Sequence, residues 1–398
     1  MTPSPLSVVR LKPKVRPQAI RHGFPWVYDN ELVTDRRTKA LAPGSLAVLQ
    51  DTDREALALV SVNPKSRIIA RVLDRNLDMT LDQAWINTRL GRALQMREQL
   101  FDAPFYRIVH AEADGMPGVI IDRFGDTAVI QPNAAWAENH LDQITTALKD
   151  VVGISTVVKN ASGRARSLEG LDDKSGVLLG IEPAAPVKVV MNNATYMADL
   201  TGGQKTGLFY DQRLNQSFAA GLAKDAKVLD VFSHVGGFAL ACLAGGAGQA
   251  LSIDSSEAAL DLATQGAARM GVAERFETRR SDGFDALAAL SENGERFDLV
   301  ICDPPAFAPN KKALEAGLRA YERVARLAAP LVNEGGYLCL CSCSHAASLE
   351  KFRASCLRGI GRAGRAGSLI HTGFAAPDHP LHPHLAESGY LKALFFRL

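Results

Sequence analysis

No run in the 398-residue sequence approaches the roughly eighteen uncharged apolar residues that a membrane helix requires, so no membrane partner is expected. The stretch Met1–Arg21 holds Arg and Lys but no apolar core, which argues against a secretory signal and for a cytoplasmic protein. Cysteine is missing until Cys242; the six thiols are Cys242, Cys302, Cys339, Cys341, Cys343 and Cys356. That crowding into the second half is not how a disulfide framework is spaced, and Cys339, Cys341 and Cys343 alternate along a strand rather than follow metal-site spacing. Reduced thiols are expected. The phosphate motifs are missing too. There is no G-x-G-x-x-G, and Gln204-Lys205-Thr206 lacks the glycine that precedes a Walker lysine, so neither dinucleotide binding nor phosphate cradling is supported. The histidines of His379-Pro-Leu-His382-Pro-His384 are irregularly spaced between prolines, which suits a loop better than a metal site.

Net charge is small, +2, but uneven. Residues 1–75 carry 13 Lys and Arg against 7 Asp and Glu, whereas the rest carries 32 against 36. A basic front on a slightly acidic body would attract a polyanion such as nucleic acid, although a solvated basic surface would look the same. The length calls for two or three domains. Residues 1–75 alternate in short runs (Leu6–Lys12, Ser45–Gln50, Ala56–Val62, Ile68–Leu73) between Pro and Gly, a small β-rich module with a helical start near Pro17–His22. Residues 76–186 read as a middle α+β domain entered by a linker helix over Leu81–Phe101. In residues 187–398, strand-like runs at Lys227–Phe232, Ala250–Ile253, Leu299–Cys302 and Tyr337–Ser342 alternate with helical stretches, predicting a Rossmann-like α/β domain. Tyr390–Leu398 reads as the strand that completes its sheet.

Chemistry gathers at the strand ends. Asp230-Val-Phe232-Ser233-His234-Val-Gly236-Gly237 is a strand, an acid and a glycine turn before a helix, the arrangement of a cofactor crevice. Asp254, followed by Ser255, closes the next strand and suits paired ribose hydroxyls. Asp282-Gly283 follows a third and suits an adenine amino group. Singly, each acid could be a helix cap. Three in register resemble the class I methyltransferase fold, which implies S-adenosylmethionine as cofactor. The fourth strand leads into Asp303-Pro304-Pro305-Ala306-Phe307, a rigid turn beside the methyl donor. The fifth ends in Cys341-Ser-Cys343-Ser-His345, with Cys343 nearer the ligand edge. A thiolate adding at C6 of cytosine would activate C5 toward methylation, with Asp303 holding N3. The bland alternative, a cysteine used as a small apolar residue, suits Cys242, Cys302, Cys339, Cys341 and Cys356.

Together these motifs resemble the ribosomal RNA large-subunit methyltransferase I family. The resemblance rests on Thr201-Gly-Gly-Gln-Lys205-Thr206-Gly207-Leu-Phe209-Tyr-Asp-Gln212-Arg213, the Asp230–Phe238 loop, Asp254, Asp282, Asp303-Pro-Pro and Ser342-Cys343-Ser344-His345. Upstream, Asp114-Gly115-Met-Pro117-Gly118 and Asp122-Arg123-Phe-Gly125 match the family's middle domain, and Arg21-His-Gly23-x-Pro25-Trp26 its PUA module. The resemblance implies a PUA-like RNA-binding domain, transfer to cytosine C5 in 23S rRNA, and Cys343 as nucleophile. It also implies that Lys205, Thr206, Gly207 and Phe209 wrap a cofactor held by Asp230, Phe232, Ser233, Gly236, Gly237, Asp254, Ser255, Asp282, Gly283, Asp303 and Pro304. Two positions depart from the pattern. His234 replaces a Tyr of many members, and Ala306 stands where other RNA cytosine-C5 methyltransferases have a second cysteine. Two other readings stay open: base-nitrogen methylation at Asp303-Pro304-Pro305, and a non-catalytic RNA-binding assembly factor. A homodimer is compatible with the sequence.

Overall fold

The computed structural model describes residues 6–202 and 207–398. The chain forms two compact units, one built from residues 1–184, 200–206 and 380–385, the other from 185–199, 207–379 and 386–398.

The first unit contains two five-stranded sheets. In the amino-terminal sheet, Ser7–Arg10 pairs parallel with Ser45–Gln50, and Ala56–Val62, Ala70–Asp74 and Trp26–Val27 follow antiparallel. Alternation buries Val9, Ala47, Leu49, Val60 and Val62 on one core. The predicted helical start is a short helix, Gln18–His22. The second sheet runs in the order Gly176–Leu179, Thr156–Lys159, Thr127–Pro132, Val119–Phe124 and Phe105–His110. The predicted linker helix spans Gln83–Leu100, where the Asp82 carboxylate accepts from the Trp85 amide and fixes the first turn. Its Trp85, Ile86 and Leu90 share a core with Ile108, Ile121 and Ile130 of the second sheet.

The second unit holds a seven-stranded sheet in the order Phe276–Arg280, Gln249–Asp254, Lys227–Val231, Phe297–Cys302, Val332–Ser342, Lys392–Arg397 and Ser368–Gly373. The first five are mutually parallel, and Lys392–Arg397 enters antiparallel to both of its neighbours. The overall class is therefore α/β with a Rossmann-like domain behind a small β-rich one. The expected carboxy-terminal strand is present as Lys392–Arg397, lying between Val332–Ser342 and the edge strand Ser368–Gly373. Chain order reverses between Lys227–Val231 and Phe297–Cys302, and a crevice opens outside the carboxyl ends of strands at such a switch point. Sequence reading missed a hairpin, Val187–Met191 with Ala194–Ala198, turning on Asn192 and Asn193, both at positive φ.

Candidate active site

The strand Lys227–Val231 delivers Asp230 to the switch point, where its side chain is wholly enclosed. Asp230 Oδ2 accepts from the Ala239 amide at 2.9 Å, so the carboxyl holds the start of the helix Gly237–Ala244 from behind the loop. Burial, with Asp303 nearby, pushes this carboxyl up to about 7. Between strand and helix the backbone is left-handed at Phe232 (φ +63°), His234 (+49°) and Gly236 (+76°). Glycine adopts this without penalty; for Phe232 and His234 it costs on the order of 1 kcal/mol each, strain of a kind that gathers at ligand sites. Asp254 stabilises the contortion, accepting from the His234 amide at 2.8 Å and the Ser256 amide at 2.9 Å. Ser255 is exposed beside it, and Ser256, not Ser255, caps the next helix.

Asp282 is exposed and caps the helix Gly283–Glu292, with Oδ1 taking the amides of Phe284 and Asp285. Gly283 has no room for a side chain: a Cβ there would lie 2.3 Å from the Phe232 ring. The rings of Phe232 and Phe284 meet edge-on at 6.2 Å, and Phe284 and Phe307 are 5.8 Å apart. Three aromatic rings, which follow the strands Lys227–Val231, Phe276–Arg280 and Phe297–Cys302, thus meet beside Asp282. Phe284 and Phe307 follow the Asp282-Gly283 and Asp303-Pro304-Pro305 motifs, but their meeting was not legible, because single aromatics carry no periodic signal. From the segment entering the domain, Gly207 is buried and Phe209 meets the His234 ring at 5.1 Å. Lys205 and Thr206 lie outside the described residues.

Asp303 follows Phe297–Cys302, with Pro304 buried and Pro305 and Ala306 exposed. Gln212 Nε2 donates to Asp303 Oδ2 at 2.9 Å, and Asn215 Nδ2 donates to Gln212 Oε1 at 2.6 Å. Cys302 is in register with Leu340, so Asp303 and Cys343 lie at neighbouring strand ends. Cys343 sits just past the strand Val332–Ser342 between two fully buried serines. Ser342 Oγ accepts from the Ser344 amide at 3.3 Å. Ser344 Oγ accepts from the Ala308 amide at 2.9 Å and lies 2.8 Å from the Tyr321 hydroxyl. Cys343 is the half-exposed thiol, whereas the other five are buried. Burial pushes all five buried thiols up, holding them protonated. His345 is exposed on the same turn.

The match to known proteins covers nearly the whole chain. Residues 133–397 match the S-adenosylmethionine-dependent methyltransferase family, and residues 9–75 match a PUA-like domain. The ribosomal RNA large subunit methyltransferase I of Cronobacter sakazakii is 32% identical over 391 residues, covering 97% of this chain and 98% of that protein. A ribosomal RNA large subunit methyltransferase of Deinococcus radiodurans is 34% identical over 407 residues, covering 98% of each. The solved structure of SMU.776 in complex with SAH shares the fold, with a TM-score of 0.82 at 18% identity, over 98% of this chain and 99% of that one.

The crevice suits the cofactor of this family on its own evidence. Asp230 Oδ1 and Ser233 Oγ are buried with no hydrogen-bond partner, acceptors available to a cationic ligand at a loop held in a strained shape. The aromatic rings beside Asp282 suit a flat heterocycle. No helix among the described residues is long and apolar enough to cross a membrane. The chain belongs to the ribosomal RNA large subunit methyltransferase I family of S-adenosylmethionine-dependent methyltransferases, with a PUA-like domain at residues 9–75.

Proposed function

We propose that the protein methylates C5 of a cytosine in large-subunit ribosomal RNA, with Cys343 as the nucleophile. One observation carries the reading: of six thiols, the half-exposed one stands at the carboxyl end of its strand, beside the strand that ends in Asp303. The names of the relatives supply the RNA. The division into 1–75 for RNA binding, 76–186 as a middle domain and 187–398 for transfer belongs to the same proposal.

S-adenosylmethionine supplies the electrophilic methyl group that C5 accepts. Asp254 takes the ribose hydroxyls, Asp282 the adenine amino group, and Phe232, Phe284 and Phe307 flank the heterocycle. The loop Phe232-Ser233-His234-Val235-Gly236-Gly237, with Gly207 and Phe209, lines the rest. Cys343 Sγ, as thiolate, adds to C6; the C–S bond forms and the C5–C6 π pair moves to C5. Asp303, oriented by the Gln212 amide, takes up a proton when the base is bound and donates it to N3, balancing the charge that addition places on the ring. After C5 has gained its methyl group, a base takes the C5 proton. The pair then returns to C5–C6 and the thiolate leaves. Ala306 offers no thiol for that last proton transfer, so water or another residue performs it. A base within a duplex must first leave its stack, and a basic amino-terminal module supplies phosphate contacts for that work.

The test is Cys343→Ala with nucleoside mass spectrometry. The variant should bind S-adenosylmethionine with unchanged affinity while formation of 5-methylcytidine in ribosomal RNA stops. Persisting 5-methylcytidine would remove Cys343 from the reaction, and a methylated purine would favour base-nitrogen chemistry at Asp303-Pro304-Pro305. Failure to bind S-adenosylmethionine at all would revive a non-catalytic assembly role.

A further inference from the structure

Lys392 is 4% exposed, an unusual place for an ammonium, and no carboxylate pairs with it among the described residues. It begins the strand Lys392–Arg397 and stands opposite Ser342 in the antiparallel ladder, next to Cys343 in sequence. Its Nζ donates to Ser344 O at 2.7 Å and to Ala347 O at 2.8 Å. These carbonyls belong to one turn, closed by the Ala347 amide donating to Ser344 O at 3.2 Å, and that turn directly follows Cys343. Two of the three ammonium protons are therefore spent on the nucleophile's own loop.

We infer that Lys392 is a positioning residue for Cys343: its buried ammonium ties down the turn behind the thiol and supplies the positive charge that favours thiolate over thiol. The inference rests on Cys343 being the nucleophile. In the ionisation, the Cys343 thiol gives its proton to solvent, Lys392 keeps its three, and the buried charge gains the counter-charge it lacks.

Tyr321, from the helix Leu314–Ala328, is buried and pushed above its usual range by desolvation, so it stays neutral. Cys341, two residues earlier on the strand that leads into Cys343, is buried and protonated, and Asp303 at the adjacent strand end brings negative charge. His345 lies exposed on the turn itself, and His371 of Ser368–Gly373 stacks on Phe218 at 4.1 Å. Burial lowers the Lys392 ammonium to about 8, opposed by the negative charge of Cys343. A cation with a lowered value is charged below it, so assistance to the thiolate holds up to about pH 8 and fades above.

The experiment measures alkylation of Cys343 by iodoacetamide from pH 6 to 10 in the full chain, located by peptide mass, with Cys343→Ser as the blank. Lys392→Met removes charge and donors. Lys392→Gln removes the charge but keeps an amide donor, and Lys392→Arg keeps both. Both neutral variants should raise the midpoint of thiol reactivity by about one pH unit or more, while Arg leaves it near wild type. A folded neutral variant that titrates like wild type overturns the inference. If neither neutral variant folds, the wild-type thiol decides: a midpoint below that of free cysteine supports the inference, and one at or above it overturns it. Alkylation reports the thiol whatever base is methylated, so failure here and failure of the 5-methylcytidine reading are separate results.

Discussion

Asp230 is a carboxyl that folding would rather keep neutral. It is completely enclosed, one oxygen holds the Ala239 amide, and the other has no partner. Its folded value of about 7 lies above the usual 3.8, so the stability it contributes is full below the ordinary carboxylate range and is lost as pH rises through about 7. Asp230→Asn is neutral at every pH. Urea unfolding should therefore show the variant gaining on wild type between pH 5 and pH 8.5, by an amount on the order of a few kcal/mol. A difference that does not change with pH would mean that Asp230 does not titrate in this range. Acids at strand ends were legible in the sequence because position alone marks them, although the structure gives them separate tasks. Asp230 supports the loop from behind, Asp254 braces its bend, and Asp282 caps a helix while staying exposed. Gln212 and Lys392 were not legible as site residues. Gln212 meets Asp303 across 91 positions, and Lys392 meets Ser344 across 48, separations that a local motif cannot span.

Elements that are buried on both faces announced themselves, while those on the margin did not. The run Leu299–Cys302 is continuously apolar, and Val228–Val231 is apolar but for Asp230, because helices cover both sides of a parallel sheet. The edge strand Ser368–Gly373 is half exposed and mixes Ser, His and Thr with Leu and Ile, so it carries no clean alternation. Without that signal the edge strand was not legible, whereas the buried Lys392–Arg397 beside it was. The hairpin at Val187–Ala198 was hidden for a different reason: its signal is a two-residue turn, Asn192-Asn193, at φ +55° and +60°. Asn tolerates that region and a β-branched residue does not. Asn193→Val should destabilise the protein by about 1–2 kcal/mol, and Asn193→Gly should not, as measured by urea unfolding. Equal stability of the two variants would show that the turn relaxes without cost.

Across the whole molecule, charge separates what the sheets do not. The basic surplus falls within residues 1–75, where Arg36, Arg37 and Lys39 are exposed on one short helix capped by Asp35. If this module holds RNA through phosphates, replacing all three with Ala should weaken binding to ribosomal RNA. It should also flatten the dependence of log affinity on log salt, by up to about 0.9 for each duplex phosphate no longer neutralised and by less on single strands. An unchanged slope would place the phosphate-binding surface elsewhere. The central claim, covalent attack on a pyrimidine by Cys343, has a more direct test. RNA carrying 5-fluorocytidine presents a fluorine where the C5 proton should leave, so the last step cannot proceed. Incubation with the full-length protein and S-adenosylmethionine should yield a denaturation-resistant adduct whose mass maps RNA plus one methyl group to the Cys343 peptide. Wild-type protein that methylates unmodified RNA yet forms no adduct at Cys343 would contradict the account.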